Sequence, residues 1–238
     1  MTTRIRRVTT TRAGGVSAPP FDTFNLGDHV GDDPAAVAAN RARLAATLGL
    51  DETHVVWMNQ VHGVNVELVD EPPPGGHPVI PDTDALVTTV RGLALAVVTA
   101  DCVPVLMADA RAGVVAAAHA GRVGAANGVV VRTLEKMLEA GAHVEDVSVL
   151  LGPAVSGANY EVPAAMADEV EAALPGSRTR TATGTPGLDL RVGIARQVRE
   201  LGVAEVAIDP RCTVADRTLF SHRRDAPTGR LASVVWMP

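Results

Sequence analysis

The sequence predicts an α/β fold of the layered α+β type, in which mixed β-sheets are covered by helices within a single domain, residues 1–238. Two observations predict it. Apolar residues make up 47% of the chain and aromatic residues 3%, so a large core is built from small aliphatic side chains. Strand-like segments also follow one another with no room for helices between them, at 55–58, 64–69, 85–89, 93–99, 103–108 and 114–118. A purely parallel sheet needs crossover helices, so a mixed sheet or two sheets are expected.

Helices are predicted on both sides of this run of strands. The first begins at Asp33 as N-cap, has Pro34 in its first turn and ends at Gly49. Further helices are predicted over about 125–140, 163–174 and 188–203, and further strands over 147–153, 204–210 and 232–237. No change in composition marks a linker, and the loop DEPPPGGHP (70–78) is expected to be a surface connection.

Charge and cysteine content exclude several classes of protein. The net charge of −6 argues against a nucleic-acid binder, which needs a basic face. The apolar run at 93–108 is interrupted by Asp101 and Pro104 and is too short to span a bilayer, so no membrane partner is expected. Two cysteines, Cys102 and Cys212, cannot form a disulfide framework. The N-terminal segment MTTRIRRVTT lacks the apolar stretch of a signal peptide, so none is expected. We therefore expect a monomer in the reducing cytoplasm.

Three side chains interrupt the apolar strand pattern in a way that suits a metal. Cys102 follows one predicted strand, His119 follows another, and His62 lies between two strand-like runs. Zinc accepts sulfur and nitrogen ligands, and three ligands gathered from distant strands are typical of a catalytic site with an open position. The residues alone leave the alternative open that the histidines are structural and the cysteine fills core.

Other polar residues are further candidates for the site. Asp101 is predicted to be catalytic by orienting a ligand or a water, or else accepts hydrogen bonds at a strand end. Asn59 and Gln60 are predicted to bind a substrate, or else close a turn before His62. Arg223 and Arg224 are predicted to bind phosphate, although adjacent arginines commonly form one internal ion pair and one solvated tip.

A glycine-containing segment after His119 is a second candidate for anion binding. Gly121, Gly124 and Gly128 lead into the predicted helix, whose N-terminal backbone N–H groups could hold an anion. The segment is not a GxGxxG motif, so a dinucleotide site is not expected. Cys212 is expected to fill core, and four histidines are expected to be solvated: His29, His54, His77 and His143.

Several motifs together resemble one family. The motifs are NQVHG (59–63), TDALVT (83–88), TADCVPVLMAD (99–109), AAHAG (117–121), LGPAVSGANYEV (151–162), FSHRRDAPTGRLASVVW (220–236) and the N-terminal segment 11–41. In their order along the chain they resemble the multicopper polyphenol oxidase or laccase-domain family, also called the purine nucleoside phosphorylase YfiH-type family. The resemblance covers nearly the whole chain.

The resemblance implies both a metal site and an activity. It implies one zinc ion per chain, bound at the positions of His62, Cys102 and His119. It implies phosphorolysis of adenosine, inosine, guanosine and methylthioadenosine with orthophosphate, and deamination of adenosine. With these substrates, Asn59 and Gln60 are predicted to contact a purine edge or a ribose hydroxyl. The implied fold is a layered arrangement of mixed sheets between helices, shared in outline with a bacterial deamidating toxin domain. Some relatives are linked to editing of peptidoglycan precursors.

The sequence departs from the family pattern next to the predicted ligands. The family usually continues HAG with Trp-Arg-Gly, whereas this chain has Arg122 and Val123 there. Arg122 is the candidate to replace the missing arginine in substrate binding, and weaker binding of orthophosphate is expected. In SHRRD, His222 stands where relatives often carry an aromatic residue.

Other functions remain open at this point. Cys102 and His119 would also suit a metal-free thiol enzyme that acts on an amide. A copper phenol oxidase needs closely spaced His-X-His pairs, and the seven histidines contain none. A non-enzymatic role as partner or regulator is the remaining alternative.

Overall fold

Two large β-sheets face each other in the computed structural model, which describes residues 3–72 and 78–238. The strands are β1 (Arg6–Thr9), β2 (Val55–Met58), β3 (Val66–Leu68), β4 (Val79–Ile80), β5 (Ala85–Thr88), β6 (Ala94–Thr99), β7 (Val103–Asp109), β8 (Val114–Ala120), β9 (Val147–Leu151), β10 (Arg178–Arg180), β11 (Pro186–Leu188), β12 (Glu205–Ile208) and β13 (Leu231–Trp236). The helices are α1 (Pro34–Leu48), α2 (Arg122–Ala126), α3 (Val129–Glu139), α4 (Ala164–Ala173), α5 (Leu190–Glu200) and α6 (His222–Asp225).

The strand order shows that both large sheets are mixed. Five strands form one sheet in the order β1-β13-β6-β2-β4, and six form the other in the order β12-β9-β7-β8-β5-β3. Strands β2 and β6 pair in parallel, whereas β6 and β13 pair antiparallel; β10 and β11 form a separate antiparallel ribbon. The predicted fold class is confirmed.

Alternating side chains of the central strands fill two different cores. Leu95 and Val97 of β6 pack against Leu106 of β7 between the sheets, whereas Ala94 and Ala96 face the other way, toward α1. Truncating a fully buried leucine such as Leu106 to alanine costs about 2–5 kcal/mol of folding free energy.

The outer face of the six-stranded sheet is covered by helices. Val105 and Met107 of β7 pack with Val130 and Leu134 of α3 in a core to which α4 and α5 also contribute. The layers are therefore α1, the five-stranded sheet, the six-stranded sheet, and α3 to α5. Strands β6, β7 and β8 are buried along their whole length, which explains why their sequences are continuous apolar runs.

Most predicted elements are present within a few residues of their predicted bounds. The predicted strand at 55–58 is confirmed as β2, and α1 has the predicted cap, because Asp33 accepts a hydrogen bond from the N–H of Ala35. Gly49 ends α1 with a φ of 75°. Strand β8 extends to Ala120, so His119 lies within the strand rather than after it. Strands β1, β4, β10 and β11 were not predicted.

The predicted single helix over 125–140 is wrong, because the segment forms two helices, α2 and α3. Gly128 separates them with a φ of 89°. Within α2, a Cβ added to Gly124 would lie 2.8 Å from the carbonyl oxygen of Gly63. The loop that carries His62 therefore packs directly on α2, and only a glycine allows that approach.

Two connections between the sheets bring the predicted ligands to one edge. Residues 59–65 lead from β2 in one sheet to β3 in the other, and residues 100–102 lead from β6 to β7 in the same way. Strands β7 and β8 pair antiparallel with Pro104 opposite His119, so Cys102 just before β7 lies near His119 at the end of β8. Cys102 is close to His119 because it comes just before β7, and β7 is the neighbour of β8 in the six-stranded sheet. Strand β6, which ends just before Cys102 in the chain, belongs to the other sheet.

Among the described residues, no helix combines the length and the apolar character that a bilayer-spanning segment requires.

Candidate metal centre and its pocket

His62, Cys102 and His119 form one cluster, with their potential ligand atoms all within 4.8 Å of one another. Cys102 Sγ lies 3.8 Å from His62 Nε2, and the two imidazole rings meet edge to face with centroids 4.7 Å apart. Tetrahedral zinc, with ligand bonds of about 2.0–2.3 Å, separates its ligand atoms by about 3.5 Å. The spacing and the two-nitrogen, one-sulfur donor set therefore fit zinc with one position left open.

Asp84, a buried carboxylate beside the cluster, holds two of its members. Its Oδ1 atom lies 2.8 Å from Nδ1 of His119 and accepts the backbone N–H of His62 at 3.0 Å. Its Oδ2 atom accepts the N–H groups of Gly63 and Val61 at 2.7 and 3.2 Å. An ionised Asp84 therefore fixes the proton of His119 on Nδ1 and leaves Nε2 free to bind a metal.

The metal-free cluster favours a thiolate beside an imidazolium. Burial raises the pKa of Cys102, but the charge of His119 and hydrogen bonds from His119 and His62 lower it further, to about 6. Burial lowers the pKa of His119, but the thiolate of Cys102 and the carboxylate of Asp84 raise it to about 9. Burial likewise raises the pKa of Asp84, and its hydrogen bonds with His119 and Gly63 bring the pKa below the usual value.

Gly121 leaves the space that the cluster needs. A Cβ at this position would lie 2.6 Å from Cδ2 of His62 and 3.2 Å from Sγ of Cys102. His62 itself has a left-handed backbone, with a φ of 59°, and is held there by Asp84. The glycine of the HAG motif is therefore explained by close packing on the ligands.

The cluster opens into a pocket with a volume of about 560 Å³. Three arginines and a tyrosine contribute to its wall: Arg122, Arg223, Arg230 and Tyr160. Asp101 is the one carboxylate among the described residues that line it, so the pocket is electropositive. A cationic pocket of this kind suits an anionic ligand.

Asp101 lines the pocket, but its hydrogen bonds go to the C-terminal loop. Its Oδ1 atom accepts the hydroxyl groups of Thr213 and Ser221 at 2.6 and 2.7 Å, and its Oδ2 atom accepts the N–H of Arg223 at 2.6 Å. Its own φ is 100°, and its carbonyl oxygen accepts the N–H of Val155. These contacts hold the C-terminal loop against the pocket, and the catalytic role of Asp101 stays a prediction.

Asn59 and Gln60 have contacts that differ from the predicted contacts to a purine. Gln60 lines the pocket, but its amide exchanges two hydrogen bonds of 2.8 Å with the backbone of Val98. Asn59 does not line the pocket and contacts Asp82 at 3.5 Å. Gln60 therefore fastens the His62 loop to β6. Substrate binding by Asn59 and Gln60 stays a prediction.

The two adjacent arginines have different environments. Arg224 donates hydrogen bonds to the carbonyl groups of Thr213 and Leu219, among others, and forms an ion pair with Asp225 at 2.6 Å. It does not line the pocket, and these contacts hold the loop together, so its role in phosphate binding stays a prediction. Arg223 lines the pocket, with its guanidinium 4.9 Å from the centre of the Tyr160 ring.

Three residues of the site were missed in the sequence. The sequence contains a signal for Asp84, because a carboxylate directly before the buried strand β5 is unusual. Tyr160 is the single tyrosine of the chain, and Arg230 directly precedes the buried strand β13. Neither position has a pattern that predicts where its side chain points.

The remaining candidates are placed as follows. His29, predicted to be solvated, lines the pocket with half of its side chain exposed, and His222 also lines the pocket. Cys212, predicted to fill core, is half-buried, and its sulfur accepts the N–H of Ser156 at 3.3 Å. His143 is exposed and His54 is partly buried, and His77 lies outside the described residues.

Comparisons with known proteins agree over nearly the full chain. The chain is 76% identical over 234 residues to a purine nucleoside phosphorylase of Mycobacterium tuberculosis, covering 98% of this chain and 92% of that relative. It is 59% identical to one of Corynebacterium glutamicum, covering 98% of this chain and 95% of that relative.

Solved structures show the same fold. YlmD from Geobacillus stearothermophilus superposes with a TM-score of 0.90 at 33% identity, covering 98% of this chain and 92% of that chain. The Bacillus licheniformis protein YfiH superposes with a TM-score of 0.91 at 29% identity, covering 98% and 93%. The family model described as multi-copper polyphenol oxidoreductase laccase matches residues 6–238. The chain therefore belongs to this laccase-domain family, whose solved members include YfiH-type proteins.

Proposed function

We propose that this protein is a zinc-dependent purine nucleoside phosphorylase that acts on adenosine, inosine, guanosine and methylthioadenosine, and that the same site deaminates adenosine. The observation that carries the proposal is the His62, Cys102 and His119 cluster inside a pocket lined by arginines. The names of the relatives at 76% and 59% identity support the phosphorylase activity. Deamination rests on the family resemblance and on the open position of the donor set.

The three cluster residues are proposed to hold one zinc ion per chain. When bound, zinc would supply Lewis acidity and lower the pKa of a coordinated water. Asp84 would keep the His119 ring in the orientation that presents Nε2. The same carboxylate would hold the backbone of His62 in its left-handed conformation. Copper is disfavoured, because the donor set lacks the clustered histidine pairs that multicopper sites use.

The arginines are proposed to bind the phosphate. In phosphorolysis a phosphate oxygen bonds to the anomeric carbon of ribose, and the bond from that carbon to the purine nitrogen breaks. The purine leaves with the bonding electrons and takes up a proton. Catalysis of this step depends on positioning and on charge stabilisation. Guanidinium groups aimed into a partly enclosed pocket suit both tasks, since their hydrogen bonds to phosphate are charge-assisted.

A thiol enzyme is the second candidate, because one observation favours it. The pKa of Cys102 is lowered to about 6 beside His119, so a metal-free cluster holds a reactive thiolate at neutral pH. In that reading Cys102 attacks a carbonyl group, and His119 gives a proton to the leaving amine.

Metal analysis and product analysis together test the proposal. We expect the protein, purified without added metal, to contain about one zinc per chain and to convert inosine and orthophosphate to hypoxanthine and ribose 1-phosphate. Adenosine without orthophosphate should yield inosine and ammonia. Absence of zinc, together with rapid alkylation of Cys102 and no nucleoside turnover, would support the thiol enzyme instead. The cytoplasmic location, the monomeric state and the absence of a nucleic-acid partner remain predictions.

A further inference from the structure

Tyr160 contacts two arginines of the pocket at once. The guanidinium of Arg223 lies over its ring, 4.9 Å from the centroid. Arg122 also interacts with Tyr160, through the phenol hydroxyl. All three residues line the pocket into which the metal-binding cluster opens. One aromatic side chain therefore joins two cationic groups from separate parts of the chain, the start of α2 and the helix α6.

Neither arginine has a carboxylate partner among the described residues. By contrast, Arg224, the residue after Arg223, is ion-paired with Asp225 and has a structural role. Asp101 is the nearest pocket carboxylate to Arg223, but it accepts the backbone N–H of Arg223, and its other oxygen accepts two hydroxyl groups. Two like charges held close together without a counter-ion repel each other, and an anion between them removes that cost.

The hydroxyl of Tyr160 is protonated, which suits a contact with the two arginines. Burial and the charge of Cys102 raise the pKa of Tyr160, and Arg122 and Arg223 lower it by less, so the phenol is neutral at physiological pH. A neutral hydroxyl accepts a hydrogen bond from a guanidinium and still has its own proton to donate. An oxyanion beside Arg122 would receive that proton as a further hydrogen bond.

The position of Arg122 differs from the pattern that the family resemblance implies. Arg122 is the first residue of α2, and the next residue, Val123, is a half-exposed apolar side chain without a charge. The arginine that the family resemblance places at position 123 is absent, so the positive charge has to reach the pocket from position 122.

We propose that Tyr160 is a positioning residue that gathers Arg122 and Arg223 into a clamp for a phosphate-type dianion. The proposal rests on the proposed function for the identity of the anion, which is orthophosphate as co-substrate. A phosphate group carried by a nucleotide has the same chemistry, and the test separates these two sources.

The test measures anion binding directly, without turnover. Orthophosphate is titrated calorimetrically into the zinc-loaded wild type, Tyr160→Phe, Tyr160→Leu and Arg122→Met, with Arg199→Met as a control that removes an exposed arginine on α5. We expect Tyr160→Phe, which keeps the ring under Arg223, to weaken orthophosphate binding about 3- to 10-fold, the effect of one hydrogen bond. Tyr160→Leu should weaken it further, and Arg199→Met should bind as the wild type does.

Two further readouts separate positioning from general damage to the protein. The effects of Tyr160→Phe and Arg122→Met should not add in the double variant, because both remove the same contact. For inosine cleavage, Tyr160→Phe should raise the KM for orthophosphate more than it lowers kcat. Zinc content and melting temperature, measured on each variant, show whether a loss of binding reflects a damaged site.

A parallel titration with adenosine 5′-monophosphate identifies the source of the anion. Weaker binding of orthophosphate in the tyrosine variants assigns the clamp to the co-substrate. Weaker binding of the nucleotide alone assigns it to a phosphate on the substrate. Wild-type binding of both anions by Tyr160→Leu overturns the clamp. If the wild type binds anions through Tyr160 but cleaves no nucleoside, the proposed function fails and the clamp stands.

Discussion

The carboxylate of Asp84 and the imidazole of His119 form a buried pair, with Oδ1 2.8 Å from Nδ1 and both side chains at most 3% exposed. The backbone repeats the contact, because the N–H of His119 donates to the carbonyl oxygen of Asp84 at 2.7 Å. Strands β5 and β8 are neighbours in the six-stranded sheet, so this pair connects the metal-binding cluster to the core of the protein. The pair accounts for the orientation of His119 and, through the other bonds of Asp84, for the conformation of the His62 loop.

Replacing Asp84 with asparagine should reduce zinc affinity more than any other change outside the three ligands. An amide cannot accept the proton of Nδ1 and all three backbone N–H groups as a carboxylate does, so His119 loses its fixed orientation. We expect a loss of about 10- to 100-fold in zinc affinity, measured by competition with a chelator. Asp82→Asn, at an exposed position two residues earlier, is the matched control and should bind zinc normally. Equal zinc affinity of the two variants would contradict the role of Asp84.

Single alanine substitutions of the three ligands should remove zinc and turnover together. His62→Ala, Cys102→Ala and His119→Ala each leave two ligands, too few for a stable catalytic zinc site. The melting temperature of His62→Ala should change least, because its side chain is exposed, whereas that of His119 is buried. Zinc per chain is measured by elemental analysis and turnover with inosine and adenosine. Retention of both zinc and turnover in Cys102→Ala would mean that the ligand assignment is wrong.

The metal-free protein should expose an unusually acidic thiol. The pKa of Cys102 is about 6, so the thiolate forms as the pH rises through 6, well below the range of an ordinary cysteine. We expect the rate of alkylation by iodoacetamide, measured after removal of zinc with a chelator, to rise with a midpoint near pH 6. The His119 imidazolium that stabilises this thiolate is lost as the pH rises through about 9.

Two controls show whether Cys102 is the cysteine that reacts and whether zinc protects it. Cys102→Ser isolates the reaction of Cys102 from that of Cys212, which is half-buried. Added zinc should suppress alkylation, because a metal-bound sulfur is a poorer nucleophile. A midpoint near the ordinary cysteine value in the metal-free protein would show that the thiolate–imidazolium pair does not form.

The layers of the fold could be predicted from the sequence because they depend on local patterns. Continuous apolar runs such as β6 and β7 predict buried strands, and Asp33 with Gly49 predicts the ends of α1. The assignment of β6 and β7 to different sheets could not be predicted. Three residues, 100–102, make the crossing, and nothing in their pattern distinguishes it from a hairpin turn. The break at Gly128 was missed because a glycine inside an apolar helical pattern is usually tolerated.

The site was predictable only as far as its residues interrupt apolar strands. His62, Cys102 and His119 do so, and they lie together. Gln60 stands two residues before His62, but the backbone of Val98 that satisfies its amide is distant in sequence. Arg224 is satisfied by carbonyl groups of the loop at 213–219, which no sequence pattern indicates. Side-chain direction depends on such tertiary partners. For the same reason the contact between Tyr160 and Arg223 has no signature in the sequence.

Arg122 should set the phosphate requirement of nucleoside cleavage while contributing little to deamination. Phosphorolysis needs a bound phosphate dianion, whereas deamination of adenosine needs only a held purine and an activated water. The family resemblance places an arginine at position 123, but the chain has Val123 there and one positive charge at Arg122 instead. We therefore expect the wild type to saturate with orthophosphate only weakly in inosine cleavage.

A charge-assisted hydrogen bond contributes about 1.5–3 kcal/mol, so Arg122→Ala should raise the orthophosphate requirement by about 10- to 100-fold. The rate of adenosine deamination should change much less, because no group that acts on the amine is removed. Orthophosphate is titrated against inosine cleavage in both proteins, with adenosine deamination followed in parallel. Tight saturation that is the same in wild type and variant would mean that Arg223 and Arg230 hold the phosphate without Arg122.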